Sequence, residues 1–499
     1  MKRLAGGLLA GLLAGSAVAL LEALLRTFGG VSLPSELAGD RILPQVSVDA
    51  FLNLLAIAGG PIKAKEMAFW GGFAGVVAVS VAGGVAWELL RRRRRAGRLG
   101  LAIVVVFTAG VIAALWPVLG AGYGGLPVTA AAAATALSLL AAAALAAGIL
   151  RWALPPAATT TPLDSGRRSL LVSGASLVLL AATGGFAARL NADSTFGYDG
   201  RRTLVGGRRR QPVTAVDDFY SVTKNLIDPD VNVALWRLEV TGAVQHPYTL
   251  TIDELRALTG RIQETTLECI SNGIAFGLLS NAVWSGPALR ALLDRAQILP
   301  SGRLVELRGV DGYVYPLPLE RALRDEVLVA HSMNGAPLVR KHGAPARAVI
   351  PGAYGEASAK WLTRITVLDH DEEGYYGTQG WRAGFVHTTS VIDQPVAGAV
   401  VAAGATALLA GVAFAGDRGV SAVEVSSDGG RSWQPARLDY AGSPTAWVLW
   451  SADWTPTAPG PATLKVRAYD GTGKLQEPDP RGIAPSGATG LHQVEVRIA

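Results

Sequence analysis

The sequence predicts a multi-domain chain: an N-terminal all-α region of transmembrane helices, a mixed α+β domain, and a C-terminal β-sandwich. Three observations predict it. Up to about residue 190, Ala, Leu, Gly and Val dominate in runs long enough to cross a bilayer. From Asn191, charge, Pro, Gly and Trp mix with apolar residues, first as strand-like runs alternating with short helical patterns. Then short strands recur at regular spacing. The expected domains are 1–190, 191–389 and 390–499.

Five segments reach the roughly 20 apolar residues that a crossing needs: Leu4 to Leu25, Ala68 to Leu90, Leu101 to Leu119, Val128 to Leu150 and Leu170 to Leu190. Phe51 to Ile62 is shorter and broken by Gly59, Gly60 and Pro61, so it is expected to be interfacial or re-entrant. Lys2 and Arg3, Arg91 to Arg95 with Arg98, and Arg151 with Arg167 and Arg168 all fall on one side if there are five crossings. That side is the cytoplasm, and the remaining chain lies outside it. The net charge of +6 therefore reflects topology, and no basic stripe interleaved with aromatics marks a nucleic-acid surface. All six histidines lie at or after His246, which leaves the apolar helices without axial haem ligands. Few charges lie within the spans (Glu22 and Glu88 near helix ends), so an anchor is expected rather than an ion pathway. Gly166-Arg167-Arg168-Ser169-Leu170-Leu171 resembles a twin-arginine export signal, used by proteins that fold before they cross.

In the second part, Leu235 to Val240, Thr265 to Cys269, Leu304 to Leu307 and Ala348 to Ile350 read as strands. Ile252 to Leu258, Pro287 to Ala296 and Leu319 to Ala322 read as helices. In the third, Val400-Val401, Leu408 to Phe414, Ala422 to Val425, Trp447 to Trp450, Leu464 to Ala468 and Val494 to Ile498 are separated by turns such as Ser427-Asp428-Gly429-Gly430. This spacing predicts an immunoglobulin-like sandwich, suited to contact or dimerisation.

Cys269 is the only cysteine in 499 residues, so it forms no internal disulfide. It is a buried small hydrophobe or it is kept for chemistry. Its surroundings decide. Thr266-Leu267-Glu268-Cys269-Ile270-Ser271-Asn272, followed by Asn281 to Leu289, resembles the cysteine segment of the sulfite oxidase family of molybdopterin enzymes. Asp218-Phe219-Tyr220, Trp236 to Val240, His331 to Leu338, His342 to Arg347, Pro351 to Gly355 and Lys360-Trp361-Leu362 continue the resemblance in order. Val423 to Gly430 with Trp433 is similar to that family's dimerisation domain.

The resemblance implies a molybdenum-molybdopterin cofactor, with Cys269 as metal ligand and catalytic residue. A soft thiolate suits a metal already held by the two dithiolene sulfurs of the pterin. Tyr220, Lys224, Asn225, Asp311, His342, Arg347, Ser358 and Lys360 would bind the pterin and its phosphate, and Gly343, Gly352 and Gly355 would let backbone approach it closely. The implied activity is oxygen-atom transfer coupled to two-electron redox on a small, sulfur-containing substrate.

The sequence departs from sulfite oxidase itself. Ser221-Val222-Thr223-Lys224-Asn225 replaces an expected arginine, Gly273-Ile274 stands where basic residues are expected, and the segment around Trp381 lacks an expected tyrosine. Lys224 and Arg382 are expected to restore part of the charge. There is no Cys-x-x-Cys-His motif, so electrons are expected to pass to a separate carrier, a quinone or a cytochrome. The competing reading is a binding or scaffold protein that keeps the fold without cofactor.

Overall fold

The computed structural model describes residues 2–90, 96–155, 162–197, 209–382 and 384–499. The Arg91 to Arg95 cluster lies outside them, as do the side chains of Arg98 and Arg168.

Seven helices form the N-terminal region: α1 (Lys2–Gly29), α2 (Pro34–Ile42), α3 (Val48–Ala58), α4 (Pro61–Leu90), α5 (Ala96–Leu115), α6 (Val128–Ala153) and α7 (Pro162–Ala192). Of these, α1, α4, α5, α6 and α7 are long and apolar enough to cross a membrane. α1 packs along α4, α6 and α7. Its contact with α4 is a close backbone approach along Gly7, Gly11 and Gly15, spaced by four. A Cβ on Gly11 would stand 2.5 Å from the Val81 Cα, and one on Gly15 2.8 Å from that of Val77. Small residues at this spacing let apolar helices pack by dispersion where water drives nothing. α3 is only 11 residues long and ends at Gly59, whose φ of 84° breaks the helix before α4 begins. The Phe51 to Ile62 stretch thus forms a short helix and a corner, too short to cross a bilayer.

The mixed domain contains β1 (Leu238–Gly242), β2 (Tyr248–Leu250), α8 (Ile252–Ala257), β3 (Arg261–Glu268), β4 (Leu279–Gly286), α9 (Leu289–Ala296), β5 (Leu304–Gly309), β6 (Val314–Pro318), α10 (Leu319–Ala322), β7 (Leu328–Ala330), β8 (Ser332–Met333), β9 (Ala336–Pro337), β10 (Arg347–Val349) and β11 (Leu362–Leu368). One sheet runs β2-β1-β11-β5-β6, with β1 and β11 parallel; a second runs β3-β4-β8-β9; β7 and β10 pair separately. Trp236, Leu238, Leu292, Val305, Leu307, Leu362 and Ile365 fill the main core, each fully enclosed. The strand expected over Leu235 to Val240 begins three residues later, because Leu235 turns outward and is half exposed while Trp236 is buried.

The C-terminal region forms two antiparallel-rich sheets: β12 (Thr389–Gln394), β14 (Ala407–Phe414), β18 (Val448–Trp454) and β17 (Arg437–Ala441) in one, and β13 (Val400–Val401), β20 (Gln493–Ile498), β19 (Gly460–Asp470), β15 (Val420–Ser426) and β16 (Gln434–Pro435) in the other. Leu409, Trp450, Val425, Leu464 and Val466, drawn from both sheets, share one core. This region grips the mixed domain through β3: Glu264 accepts from Tyr440 Oη, and Trp447 N donates to Thr266 Oγ1 at 2.9 Å. Inside the same interface the buried Arg210 and Asp393 pair at 3.2 Å.

Candidate active site

β3 and β4 form an antiparallel pair in register from Arg261↔Gly286 to Glu268↔Leu279, and Cys269 is the first residue beyond it. The Cys269 amide donates to Leu278 O at 3.0 Å, which closes the loop between the strands. Asn272 staples that loop: its Nδ2 donates to Glu268 at 2.8 Å, and its Oδ1 accepts from the Leu278 amide at 3.0 Å. The thiol is thereby held half-buried at a strand end, with Ser271 Oγ 3.0 Å from its sulfur.

It opens into a cavity of about 910 Å³. Tyr220, Lys224, Asn225, Cys269, Asp311, His342, Arg347, Ser358 and Lys360 all line it. Residues that the sequence scatters from 220 to 360 therefore converge on one space.

Their chemistry divides in two. Arg347 is buried, and its guanidinium donates to the carbonyls of His342, Ala348 and Ser358 at 3.0 to 3.2 Å. It has no carboxylate partner among the described residues, and burial pulls its pKa down to about 10. Lys360 Nζ donates to Lys341 O at 3.1 Å and lies 4.3 Å from the Trp361 ring centre. His342 donates from Nε2 to Val216 O at 2.8 Å, and burial drives its pKa down to about 3, so the ring is neutral with Nδ1 left as an acceptor. Ser358 Oγ accepts from the Ile350 amide at 3.1 Å, which leaves its own proton to give.

On the other side, Lys224 is not the available cation that the sequence led one to expect. Its Nζ lies 2.6 Å from Asp40 of α2, in the N-terminal region, and both side chains are largely enclosed. Burial works against its charge, but Asp40 and Asp311 outweigh burial and hold the ammonium above its ordinary range. Asn225 Nδ2 donates to Asp311 at 3.0 Å, and Tyr123 Oη approaches Asn225 Oδ1 at 3.5 Å. Lys65 of α4 donates to Thr223 O at 2.6 Å. Asp40, Lys65 and Tyr123 all line the cavity, and the sequence reading missed all three. No signal marked them: each is one polar residue in a loop or helix end far from every motif.

The expectations for Arg382, Gly343 and Gly352 need correcting. Arg382 is exposed and outside the cavity lining, so it restores no charge there. Gly352 makes room for protein, not ligand, since a Cβ would strike Asp417 and Arg321. Gly343, at φ 99°, likewise faces Lys360 Cβ at 2.9 Å, and a Cβ on Gly355 would meet Tyr220 Oη at 2.5 Å. Gly343 and Gly355 bring the cavity's own side chains together.

Two observations test the fit of a pterin-bound metal. A buried guanidinium without a counter-ion is costly unless an anion joins it, and a phosphate does so through paired N–H groups. Among the described residues no group of three or more His, Cys, Asp and Glu could hold a metal, so a metal at Cys269 needs further donors from a ligand. The residues present fit such a group.

Comparison with known proteins points the same way. A family model described as an oxidoreductase molybdopterin binding domain matches residues 225–376, and one described as a Mo-co oxidoreductase dimerisation domain matches residues 385–485. The chain is 30% identical over 345 residues to a sulfite oxidase of Gallus gallus, covering 60% of this chain and 74% of that protein. It is 31% identical over 286 residues to the mitochondrial sulfite oxidase of Homo sapiens, covering 48% of this chain and 51% of that one. Against an NAD(P)H nitrate reductase of Hordeum vulgare the identity is 28% over 307 residues, with 48% and 34% covered. The chain thus spans about half or less of these last two. Among solved structures, the sulfane dehydrogenase SoxCD from Paracoccus pantotrophus is similar in fold, with a TM-score of 0.52 at 24% identity, covering 57% of this chain and 82% of that one.

Proposed function

Because the chain belongs to the sulfite oxidase family of molybdenum-cofactor oxidoreductases, we propose that it is a membrane-anchored member whose cavity opens outside the cytoplasm and which transfers an oxygen atom and two electrons on a small, uncharged sulfur compound. The cofactor supplies the two-electron redox and the oxygen transfer; the protein supplies the pocket and its charge. The observation that carries this reading is the convergence of Cys269 and its eight companions on one cavity.

Each side chain then has a task. Cys269 gives the thiolate, and the Ser271 hydroxyl at 3.0 Å donates a hydrogen bond to it. Arg347 and Lys360 hold the phosphate, aided by the Ser358 hydroxyl, and neutral His342 accepts at Nδ1. Asn225 and Asp311, fixed to each other, would offer a donor and acceptors to the pterin, and Tyr220 would line its side of the pocket. The loop that carries the thiol contributes Ile270, Ser271, Phe276 and Leu278 to the lining, none of them charged, which favours a neutral substrate over dianionic sulfite.

The domains are taken as 1–190, a transmembrane anchor that also walls the cavity; 191–389, the oxidoreductase domain; and 390–499, an immunoglobulin-like sandwich that joins two chains into a homodimer. Arg167 and Arg168 serve as the export signal. The test is molybdenum and pterin content of the full-length protein, made in cells that synthesise the cofactor. About one of each per chain is expected, and a folded protein with neither would refute the reading.

A further inference from the structure

The cavity has a second arm, and its wall belongs to the N-terminal region: Phe51, Leu52, Leu54 and Leu55 of α3, with Ile62 and Ala68 of α4. The outer side of the same corner is apolar and open. Leu54 is 53% exposed, Ile57 84% and Met67 64%. A helix too short to span, set beside bilayer-long helices and showing an apolar outer face, lies in the lipid interface. Leu54 belongs to both surfaces, lining the cavity while open to the outside. The arm therefore opens at the level of the lipid.

Two polar atoms are buried at its inner end without hydrogen-bond partners: Gln379 Oε1, an acceptor, and Trp381 Nε1, a donor. Both residues line the cavity, and they are only 2% and 6% exposed. They sit under the start of α3: Gln379 Nε2 donates to Leu43 O at 2.9 Å, and Trp381 packs in one cluster with Val48 and Ile270. Leaving such groups unpaired is costly, so a pocket that keeps both is shaped for a ligand that accepts at one and donates at the other.

We propose that this arm binds a quinone entering from the bilayer, with its ring at Gln379 and Trp381 and its tail along α3, as the carrier that takes the electrons. The ring carbonyl of the quinone accepts from Trp381, and a hydroxyl of the quinol donates to Gln379. The inference rests on the oxidoreductase reading above, and it balances: substrate X and water give XO, and the two electrons and two protons released reduce quinone Q, so X + H2O + Q → XO + QH2. A soluble cytochrome would dock on an outer polar surface and has no use for an apolar arm.

The test uses the full-length, cofactor-loaded protein in lipid nanodiscs with a photoreactive azidoquinone, the labelled sites being mapped by mass spectrometry. Expected is saturable labelling within 43–62 or 375–381 that decylubiquinone competes away. Gln379→Leu and Leu55→Asp, on separate elements, should each cut it at least tenfold while keeping the parent's molybdenum and pterin. Labelling confined to the lipid faces of α4 to α6, or competed equally by dodecane, overturns the proposal. If either variant loses cofactor, the label position and competition in the parent still decide. Labelling needs no turnover: metal-replete protein without saturable labelling sinks the quinone site alone, whereas saturable labelling of metal-free protein sinks the oxidoreductase reading.

Discussion

The contact between Lys224 and Asp40 ties the two halves of the molecule at one point. Breaking a buried pair from one side strands a charge, at a cost of about 3–5 kcal/mol. Asp40→Ala should therefore lower the melting temperature and release pterin, while the double variant Asp40→Leu/Lys224→Leu should regain most of the stability. Equal losses in the single and double variants would contradict the coupling. Titration gives a second handle at this scale. Burial raises Glu356 from 4.5 to about 7, so the stability its protonated form contributes is full below 4.5 and is lost as pH rises through 7. His342 works in the opposite sense: burial lowers it from 6.5 to about 3, so the fold loses stability as pH falls below 6.5. Glu356→Gln should melt higher than the parent at pH 8, by at most about 3 kcal/mol, with the gap closing by pH 5. A gap that does not depend on pH would show that Glu356 is not held neutral.

Among elements, the α1–α4 contact depends on glycine spacing more than on any side chain. Gly11→Leu must push the helices apart, because its Cβ alone would stand 2.5 Å from Val81 Cα, and it should lower thermal stability in detergent well beyond the effect of Leu at the exposed Gly75. The long apolar helices, the second half of β3 and most C-terminal strands were legible in the sequence, since length and alternation betray buried faces. β12, β16 and β17 were not: β12 is buried along nearly its whole length and shows no alternation, β16 is two residues, and β17 is half-exposed with charges on it. The site shows the same division. Cys269 to Lys360 sit in contiguous motifs, so their types and order could be matched. Asp40, Lys65, Tyr123 and Gln379 act through contacts across 102 or more positions, which no local pattern encodes.

For the molecule as a whole, the N-terminal region is more than a tether. Asp40, Lys65 and Tyr123 close one side of the cavity, so the N-terminal region and the oxidoreductase domain share one wall. On the proposed export reading, a cofactor-loaded domain crosses the membrane already folded, and changing Arg167 and Arg168 to Lys should leave it inside while the first four spans still insert. A protease accessibility assay reads this directly; normal export of the variant would contradict it.

The central claim is that the cofactor metal is bound by Cys269. X-ray absorption at the molybdenum edge, on the full-length protein and on Cys269→Ser, tests it most directly. The account predicts three sulfur neighbours in the parent, two from the pterin and one from Cys269, and two in the variant. An unchanged sulfur count would place the metal elsewhere.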